Sequence, residues 1–374
     1  MEELIRFRQE LHRYPELSGH ERATGKRIRF FLNRYRPDIL YTGIAGEGMA
    51  AIFNGNEPGP TLVFRCDLDA LPIQETINRP YMSTVSGVSH ACGHDGHITM
   101  VTGLAKVIIE NPIKRGKVVL LYQPEEENGQ GAIKSIRKLR EHNVIPDYAF
   151  AIHNMPKYPM GSIITSRNSF AAASKGIVVK LFGVSSHAAF PENGVNPSLA
   201  IAEIVQGLDK LNNSKYFSDF TLITIIHLKV GEVAFGTSPG YGEMMATLRA
   251  FKDSDMKKLT ENSLDLIRKI GNKHNLVVET SFDDDFPATV NDSKLTDIIE
   301  RVAKENGNRV IEINEPNRWS EDFAQFTVRG PSILIGLGVG EEMPDLHSPE
   351  YDFPDEAIPY GIKIYDSIIG HFLR

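Results

Sequence analysis

The sequence predicts an α/β protein with two domains, one inserted into the other. Towards both ends of the chain, short apolar runs alternate with helical patterns, an order typical of a largely parallel sheet covered by helices. Between them, the pattern changes to β-α-β-β-α-β, which makes a complete two-layer, ferredoxin-like domain. We therefore predict a discontinuous α/β domain at residues 1–169 and 285–374, with an inserted domain at residues 170–284.

The elements of the first domain follow from the spacing of apolar residues. Leu4, Phe7 and Leu11, and then Ile28 and Phe31, have helical spacing and predict two helices within residues 1–35. Apolar runs then predict strands at 62–64, 118–122, 148–152 and 332–335. Helical patterns predict helices at 98–110, 132–142, 293–306 and 355–373.

The inserted domain has its own set of elements. Its predicted strands are 176–182, 221–230, 243–251 and 276–281, and its predicted helices are 196–211 and 254–274. Four strands can offer one face to both helices, so this segment can form its own core.

Composition excludes several classes of protein. A chain of 374 residues with 41% hydrophobic and 24% charged residues is typical of globular proteins rather than disordered ones. A formal net charge of −7 provides no broad basic surface for nucleic acid or an anionic membrane. Small-molecule or peptide partners are therefore expected.

Cysteine content and apolar patterning predict where the protein works. The two cysteines, Cys66 and Cys92, fit a reducing compartment, where a thiol is buried, reactive or a metal ligand. No apolar run approaches the roughly 18 residues of a membrane span, and the first residues lack the basic start of a secretory signal. We expect a cytoplasmic protein.

The densest polar segment is Ser-His-Ala-Cys-Gly-His-Asp-Gly-His at residues 89–97. Cys92 and His94 can converge on one ion only if Gly93 bends the backbone. A thiolate and a neutral imidazole suit a metal such as zinc. The alternative is a polar helix cap with a buried cysteine.

Acidic residues follow two of the predicted strands. Asp67 and Asp69 come after one strand, and three successive glutamates at 125–127 follow another. Ligand sites of open α/β sheets lie beyond the carboxyl ends of the strands, and a bound cation would compensate these carboxylates. One glutamate can then bind metal while its neighbour takes a proton from metal-activated water. A solvated acidic turn is the alternative, and Cys66 is interpreted as a core residue.

His153 ends a third strand, and His347 lies near the C-terminus. Either histidine alone would be interpreted as structural. Together with the residues above, they predict a metal site with five ligands, enough for two divalent ions. Zinc is the first choice for such a donor set, and manganese, cobalt and nickel are also accommodated. The predicted ligands are Cys92, His94, Glu127, His153 and His347.

The motifs together resemble those of the M20 metallopeptidases. They are Asp-Leu-Asp-Ala-Leu-Pro (67–72), Cys-Gly-His-Asp-Gly-His (92–97), Gln-Pro-Glu-Glu-Glu (123–127), Ser-Glu-Asp-Phe (320–323) and Leu-His-Ser-Pro (346–349). More narrowly, the chain is similar to the amidohydrolase branch that contains N-acyl-amino-acid deacylases, hippurate hydrolases and auxin-conjugate hydrolases.

The resemblance implies a role for each domain and for several residues. The first domain would be catalytic, and the inserted one would be a lid that mediates dimerisation. The same five ligands are implied, with Cys92 as the bridge between two metals. Glu126 falls on the general base and Asp69 on the acid that orients the site, whereas Asp67 is left out of the metal set.

Two residues of the inserted domain also match the family pattern. The resemblance implies that His187, in Gly-Val-Ser-Ser-His-Ala at 183–188, reaches the active site of a neighbouring subunit and polarises the scissile carbonyl. Arg249 matches the lid arginine that holds a substrate carboxylate. The alternatives are that His187 is a surface histidine without this role and that Arg249 is a structural ion-pair partner.

The sequence departs from the family pattern at two positions. Gly236 stands where many relatives carry an asparagine, and Glu125 stands where a small residue is frequent. Because Gly236 lacks the side-chain amide, it is less justified to infer this chain's substrate from those of its relatives. The extra acid, Glu125, adds charge beside Glu126.

The expected function is hydrolysis of the amide bond of N-acyl, foremost N-acetyl, amino acids by metal-activated water. A dipeptidase or carboxypeptidase with the same mechanism is an alternative. A cysteine hydrolase with Cys92 as nucleophile, and a non-catalytic metal-binding or interaction protein, are alternatives from other classes.

Overall fold

The computed structural model describes residues 1–212 and 214–374. The chain divides into two compact units. The first unit contains Met1–Phe170, Thr289–Glu315 and Glu321–Arg374, and the second contains Ala171–Ala288 and Pro316–Ser320.

The N-terminal part of the first unit alternates strands and helices. Its elements are α1 (Glu2–Arg13), α2 (Arg22–Leu32), β1 (Ile39–Ile44), β2 (Gly48–Asn54), β3 (Glu57–Asp67), α3 (His94–Glu110), β4 (Arg115–Gln123), α4 (Gly131–Glu141), β5 (Tyr148–Met155), β6 (Ile163–Thr165) and β7 (Ser169–Ala171).

The middle of the chain forms most of the second unit. Its elements are β8 (Ala173–Phe182), β9 (Ser186–His187), α5 (Ser198–Leu211), β10 (Thr221–Val230), β11 (Thr237–Ser238), β12 (Tyr241–Ala250), α6 (Asp253–Lys273) and β13 (Val277–Phe286). Short 3-10 helices span Pro191–Asn193 and Ser214–Tyr216.

The chain then returns to the first unit. The last elements are β14 (Thr289–Val290), α7 (Ser293–Glu305), β15 (Val310–Glu312), α8 (Ala324–Thr327), β16 (Ser332–Gly338) and α9 (Ile358–Leu373), the last preceded by a 3-10 turn at Asp355–Ala357.

The first unit is built on an eight-stranded sheet in the order β1-β2-β4-β3-β5-β16-β6-β15. Its central strands, β4, β3, β5 and β16, pair in parallel. These strands are buried along most of their length, as expected where helices cover both faces of a sheet. The predicted α/β class is confirmed, and antiparallel pairs at β1-β2 and β2-β4 extend one edge.

The sheet positions helix α3, which carries the polar segment 94–97 at its start. Most of its residues are buried, because it packs against α1 and α9 as well as the sheet. A helix that is apolar on nearly all sides is typical of a core position. The start of α3 is therefore held rigidly.

The second unit has a four-stranded antiparallel sheet in the order β10-β12-β8-β13. Helices α5 and α6 cover one face, and their Ile204 and Ile267 are buried with Ile177 and Val179 of β8. This order with its two helices is the predicted ferredoxin-like arrangement. Within the described residues, no helix is long and apolar enough to cross a membrane.

Candidate metal centre

Parallel pairing brings several of the predicted site residues to one edge of the sheet. β3, β4 and β5 run in the same direction, so their carboxyl ends lie side by side. Asp69 follows β3, Glu126 and Glu127 follow β4, and His153 lies near the end of β5. The parallel pairing therefore brings these predicted site residues to one edge of the sheet.

Gly93 shapes the start of α3. Its φ angle of 86° lies in the left-handed region, and a Cβ atom there would lie 2.9 Å from the side chain of Asn154. Glycine thus permits both the bend and the close approach. On either side of it, Cys92 and His94 point to the same place, since their donor atoms lie within 4.8 Å of each other and of His153.

The five predicted ligands form one continuous cluster. The Sγ of Cys92 lies 3.7 Å from Nε2 of His153, and Nε2 of His94 lies 3.7 Å from Oε1 of Glu127. That glutamate oxygen is also 3.9 Å from Nε2 of His347. The overlapping triads Cys92–His94–His153 and Cys92–Glu127–His347 share the thiol, which is therefore central.

Hydrogen bonds orient two of the imidazoles. Nδ1 of His94 lies 2.9 Å from the carbonyl oxygen of Asp69, and Nδ1 of His153 lies 2.9 Å from that of Asn154. Each Nδ1–H donates to its carbonyl, so the neutral form of each ring has its lone pair on Nε2. Histidine ligands are commonly oriented by such outer hydrogen bonds.

Buried atoms without partners test whether a cation fits this cluster. Nε2 of His94 and Oε1 of Glu127 are buried and have no hydrogen-bond partner among the described residues. Unpaired buried polar atoms are costly, and a thiol, imidazoles and a carboxylate are the donors that borderline divalent metals prefer. The residues fit a metal ion.

The protonation tendencies of the cluster indicate the same need for positive charge. Burial raises the pKa of the Cys92 thiol to about 12, and burial with neighbouring acids raises that of Glu127 to about 7. Burial thus disfavours the charged form of both groups, and a bound cation would favour that form. The elevated thiol pKa is the opposite of what a cysteine nucleophile requires.

Glu126 lies beside the cluster rather than within its two thiol triads. Its side chain is buried, and one oxygen accepts a hydrogen bond of 3.3 Å from the backbone N–H of Asp322. Burial, and then the charges of Glu321 and Glu127, raise the pKa of Glu126 well above its usual range. A carboxylate in this environment has an increased affinity for a proton.

A buried arginine contacts three acids beside the cluster. Arg65 donates to Asp67 at 2.8 Å and to Asp322 at 2.6 Å, and its Nη2 lies 3.0 Å from Glu321. Sequence reasoning did not assign this role to Arg65. The signal was a charged residue in the otherwise apolar end of a buried strand, which implies a buried partner.

Asp67 lies next to the cluster, because its Oδ2 is 3.8 Å from Nε2 of His94. Its Oδ1 lies 2.7 Å from Nδ1 of His97 and its Oδ2 accepts from Arg65, so both oxygens have partners. Nε2 of His97 lies 2.5 Å from Oδ1 of Asn154. Asp67 was not among the predicted ligands, and its donor atoms lie within 4.8 Å of those of His94 and His97. His97, also missed as a site residue, supports the strand that carries His153.

His347 differs from the other predicted ligands in its exposure. About half of its side chain is exposed, and its φ angle is 64°. A left-handed conformation is uncommon for a residue with a side chain, and a backbone hydrogen bond from His347 N to Ala91 O helps to hold it.

His187 belongs to the second unit and is exposed on β9, opposite Thr237 of β11. The backbone N–H of Ala189 donates to its Nδ1 at 3.0 Å, which places the ring proton on Nε2. Gly236 accepts a hydrogen bond from Ala188, and a Cβ added at Gly236 would meet no atom within 4 Å. The glycine therefore leaves open space near His187.

Arg249, also in the second unit, has a half-buried guanidinium. Its Nη1 donates to the carbonyl of Arg318 at 2.9 Å and to the hydroxyl of Ser320 at 3.1 Å. Within residues 1–212 and 214–374, no carboxylate lies within ion-pair distance of it. The positive charge is held by neutral acceptors, which does not favour the alternative role as a structural ion-pair partner.

The fold and the cluster together define a metal-dependent hydrolase that acts on amide bonds. Comparison with known proteins gives the same class and a family. The profile of peptidase family M20/M25/M40 matches residues 63–371. The chain belongs to this family.

Individual relatives match over nearly the whole chain. N-acetyldiaminopimelate deacetylase of Exiguobacterium sibiricum is 30% identical, with 100% of this chain and 99% of the relative covered. N-acetylcysteine deacetylase of Bacillus subtilis is 29% identical over 97% of this chain and 94% of its own length. A solved structure of the Bacillus subtilis YXEP protein, described as a dinuclear metal-binding peptidase, superposes with a TM-score of 0.84 at 27% identity, covering 98% and 96% of the two chains.

Proposed function

We propose that the chain hydrolyses the amide bond of N-acyl amino acids, foremost N-acetyl amino acids, with two divalent metal ions. The observation that carries this proposal is the cluster of five donors with Glu126 buried beside it. The deacetylase relatives and the dinuclear relative support the substrate class and the number of metals.

The proposed ligands are Cys92, His94, Glu127, His153 and His347, with Cys92 between the two ions. Zinc is the proposed metal, since thiolate and imidazole suit it well, and manganese, cobalt and nickel are the alternatives. When bound, such ions supply Lewis acidity and lower the pKa of water.

Glu126 is the proposed general base. It would accept a proton from the attacking water and return that proton to the leaving amine nitrogen. The raised pKa of its buried carboxyl increases its affinity for the proton that it would accept. Asp69 would hold the glutamate turn and His94 in position through its hydrogen bonds.

Residues of the second unit would bind the substrate. Arg249 has the charge and fork geometry for a carboxylate, and the neutral acceptors on its Nη1 leave that charge uncompensated. His187, with its proton on Nε2, would donate to the scissile carbonyl oxygen of a substrate bound to a neighbouring subunit. Donors of this kind are worth about 10²–10³ in rate.

A homodimer, or a higher homo-oligomer, is part of this proposal. β10 is an edge strand of its sheet, and Ile226 and Leu228 on it are 60% and 49% exposed. Apolar edge strands are surfaces on which another chain can pair. If the proposal is right, light scattering after size-exclusion chromatography shows at least twice the mass of one chain. A monomer would exclude a role for His187 in the active site of a neighbouring subunit.

The test combines metal analysis with a substrate panel. Protein purified without added metal should contain metal, lose activity on N-acetyl amino acids when chelated, and regain it when divalent ions are returned. Fewer than one metal per chain together with turnover that survives chelation would contradict the proposal.

A dipeptidase or carboxypeptidase is the second candidate, favoured by the description of the dinuclear relative as a peptidase. Arg249 would serve a peptide carboxylate equally well. Dipeptides in the same panel separate the two functions, because the better substrate class has the higher kcat/KM.

A further inference from the structure

The turn that carries Glu126 and Glu127 begins at a residue with an unusual backbone. Glu125 has a φ angle of 57°, in the left-handed region that residues with side chains seldom adopt. Such conformations persist when the surroundings hold them, and they cluster at functional sites. Glu125 is also one of the two positions where the sequence departs from the pattern of its family.

Glu21 holds this backbone from the side of α2. Its side chain is fully buried, and its Oε1 accepts a hydrogen bond of 2.8 Å from the backbone N–H of Glu125. Its other oxygen, Oε2, is buried and has no hydrogen-bond partner among the described residues. Burying a carboxylate in this way is unfavourable, and burial raises the pKa of Glu21 to about 7. A residue kept there despite this cost is a candidate for a functional role.

Two further contacts hold the same turn. Nζ of Lys134 donates to both carboxylate oxygens of Glu125, at 2.7 and 2.9 Å. The carbonyl of Glu125 accepts from Gly131 N at 3.0 Å. Glu125 is therefore fixed through its N–H, its carbonyl and its side chain, immediately before the two glutamates of the site.

We propose that Glu21 is a positioning residue, which holds the left-handed turn at Glu125 and thereby sets the placement of Glu126 and Glu127. Glu21 acts through the backbone of Glu125 and touches neither the substrate nor a metal. The kinetic test of this inference rests on the proposed function. The measurement of metal affinity is a second test, which does not depend on turnover.

The first test compares Glu21→Ala with Glu21→Gln. Alanine removes the acceptor for Glu125 N, whereas glutamine keeps a carbonyl oxygen at the same place. We expect Glu21→Ala to lower kcat at least tenfold with KM changed less than about threefold, and to weaken Zn²⁺ affinity measured by calorimetry. Glu21→Gln should restore both to within about threefold of the wild type.

Glu16→Ala is the matched control. Glu16 lies in the same segment and also accepts backbone hydrogen bonds, but from Ala23 and Thr24 of α2 rather than from the glutamate turn. The Glu16→Ala substitution should lower the melting temperature and leave kcat and Zn²⁺ affinity unchanged. Equal kinetic losses for Glu16→Ala and Glu21→Ala would overturn the proposal.

A second background tests the mechanism itself. In Glu125→Gly, the glycine adopts a positive φ without strain. The conformation of the turn should therefore depend less on the hydrogen bond to Glu21. We measure the factor by which Glu21→Ala weakens Zn²⁺ affinity, once in the wild type and once in Glu125→Gly. This factor should be at least threefold smaller in Glu125→Gly. An undiminished loss would overturn the proposal. If the wild type hydrolyses no N-acyl amino acid, the proposed function fails, and the affinity measurements still decide the role of Glu21.

Discussion

The backbone N–H of Glu127 donates a hydrogen bond of 2.9 Å to Oδ2 of Asp69. This bond joins the segment after β3 to the turn after β4, and Ser18 donates to the same oxygen at 2.6 Å. The carbonyl of Asp69 meanwhile accepts from Nδ1 of His94. Asp69, which is not among the proposed ligands, therefore contacts two of them.

Replacing Asp69 should weaken metal binding more than it weakens the fold. In Asp69→Ala the N–H of Glu127 loses its acceptor, although the carbonyl contact to His94 remains. Loss of an outer-shell partner typically costs about 10–100-fold in metal affinity or activity. Calorimetric titration with Zn²⁺ measures this. Ser18→Ala is the control and should have a smaller effect, and equal affinities in Asp69→Ala and the wild type would contradict the assignment.

Glu126→Gln tests the proposed base. The amide keeps the size of the side chain and an oxygen that can accept from Asp322 N, but it cannot take a proton. We expect kcat to fall by about 10²–10⁴ while the metal content per chain stays that of the wild type. Full turnover with full metal content would exclude Glu126 as the base.

The sequence allowed the strand ends and their donors to be predicted, because parallel strands place their carboxyl ends on one edge. It did not indicate the partners of Arg65, which is separated from Asp322 by 257 positions. Nothing in a local pattern shows such a pairing. The antiparallel strands β1 and β2 were also missed. β1 is mostly exposed and therefore lacks the buried apolar run that predicted the central strands.

Replacing Arg65 by methionine should destabilise the first unit. The change leaves Asp67, Glu321 and Asp322 buried without their shared cation, and uncompensated buried charges typically cost about 3–5 kcal/mol. Urea denaturation should show this loss in the free energy of unfolding. Arg167→Met is a matched control, because Arg167 also faces three acids but is 43% exposed, so it should change stability by less than about 1 kcal/mol.

The stability of the first unit should also depend on His12. This histidine of α1 is buried, with Nδ1 at 2.9 Å from Asp95 and Nε2 at 3.3 Å from Glu75. Burial alone would lower the pKa of His12, but the hydrogen bonds to these two acids outweigh it and raise the pKa to about 9. The protonated ring therefore stabilises the start of α3, where Asp95 lies next to His94.

The direction of the pH effect follows from this raised pKa. An unfolded histidine titrates near pH 6.5, so the contribution of the charged ring is complete below that pH and is lost as the pH rises through about 9. The free energy of unfolding should fall by up to about 3 kcal/mol over this range. Urea titrations at pH 6.0, 7.5 and 9.0 measure the loss. In His12→Gln the slope should be much smaller, because glutamine does not titrate; an unchanged slope would assign the pH dependence to another group.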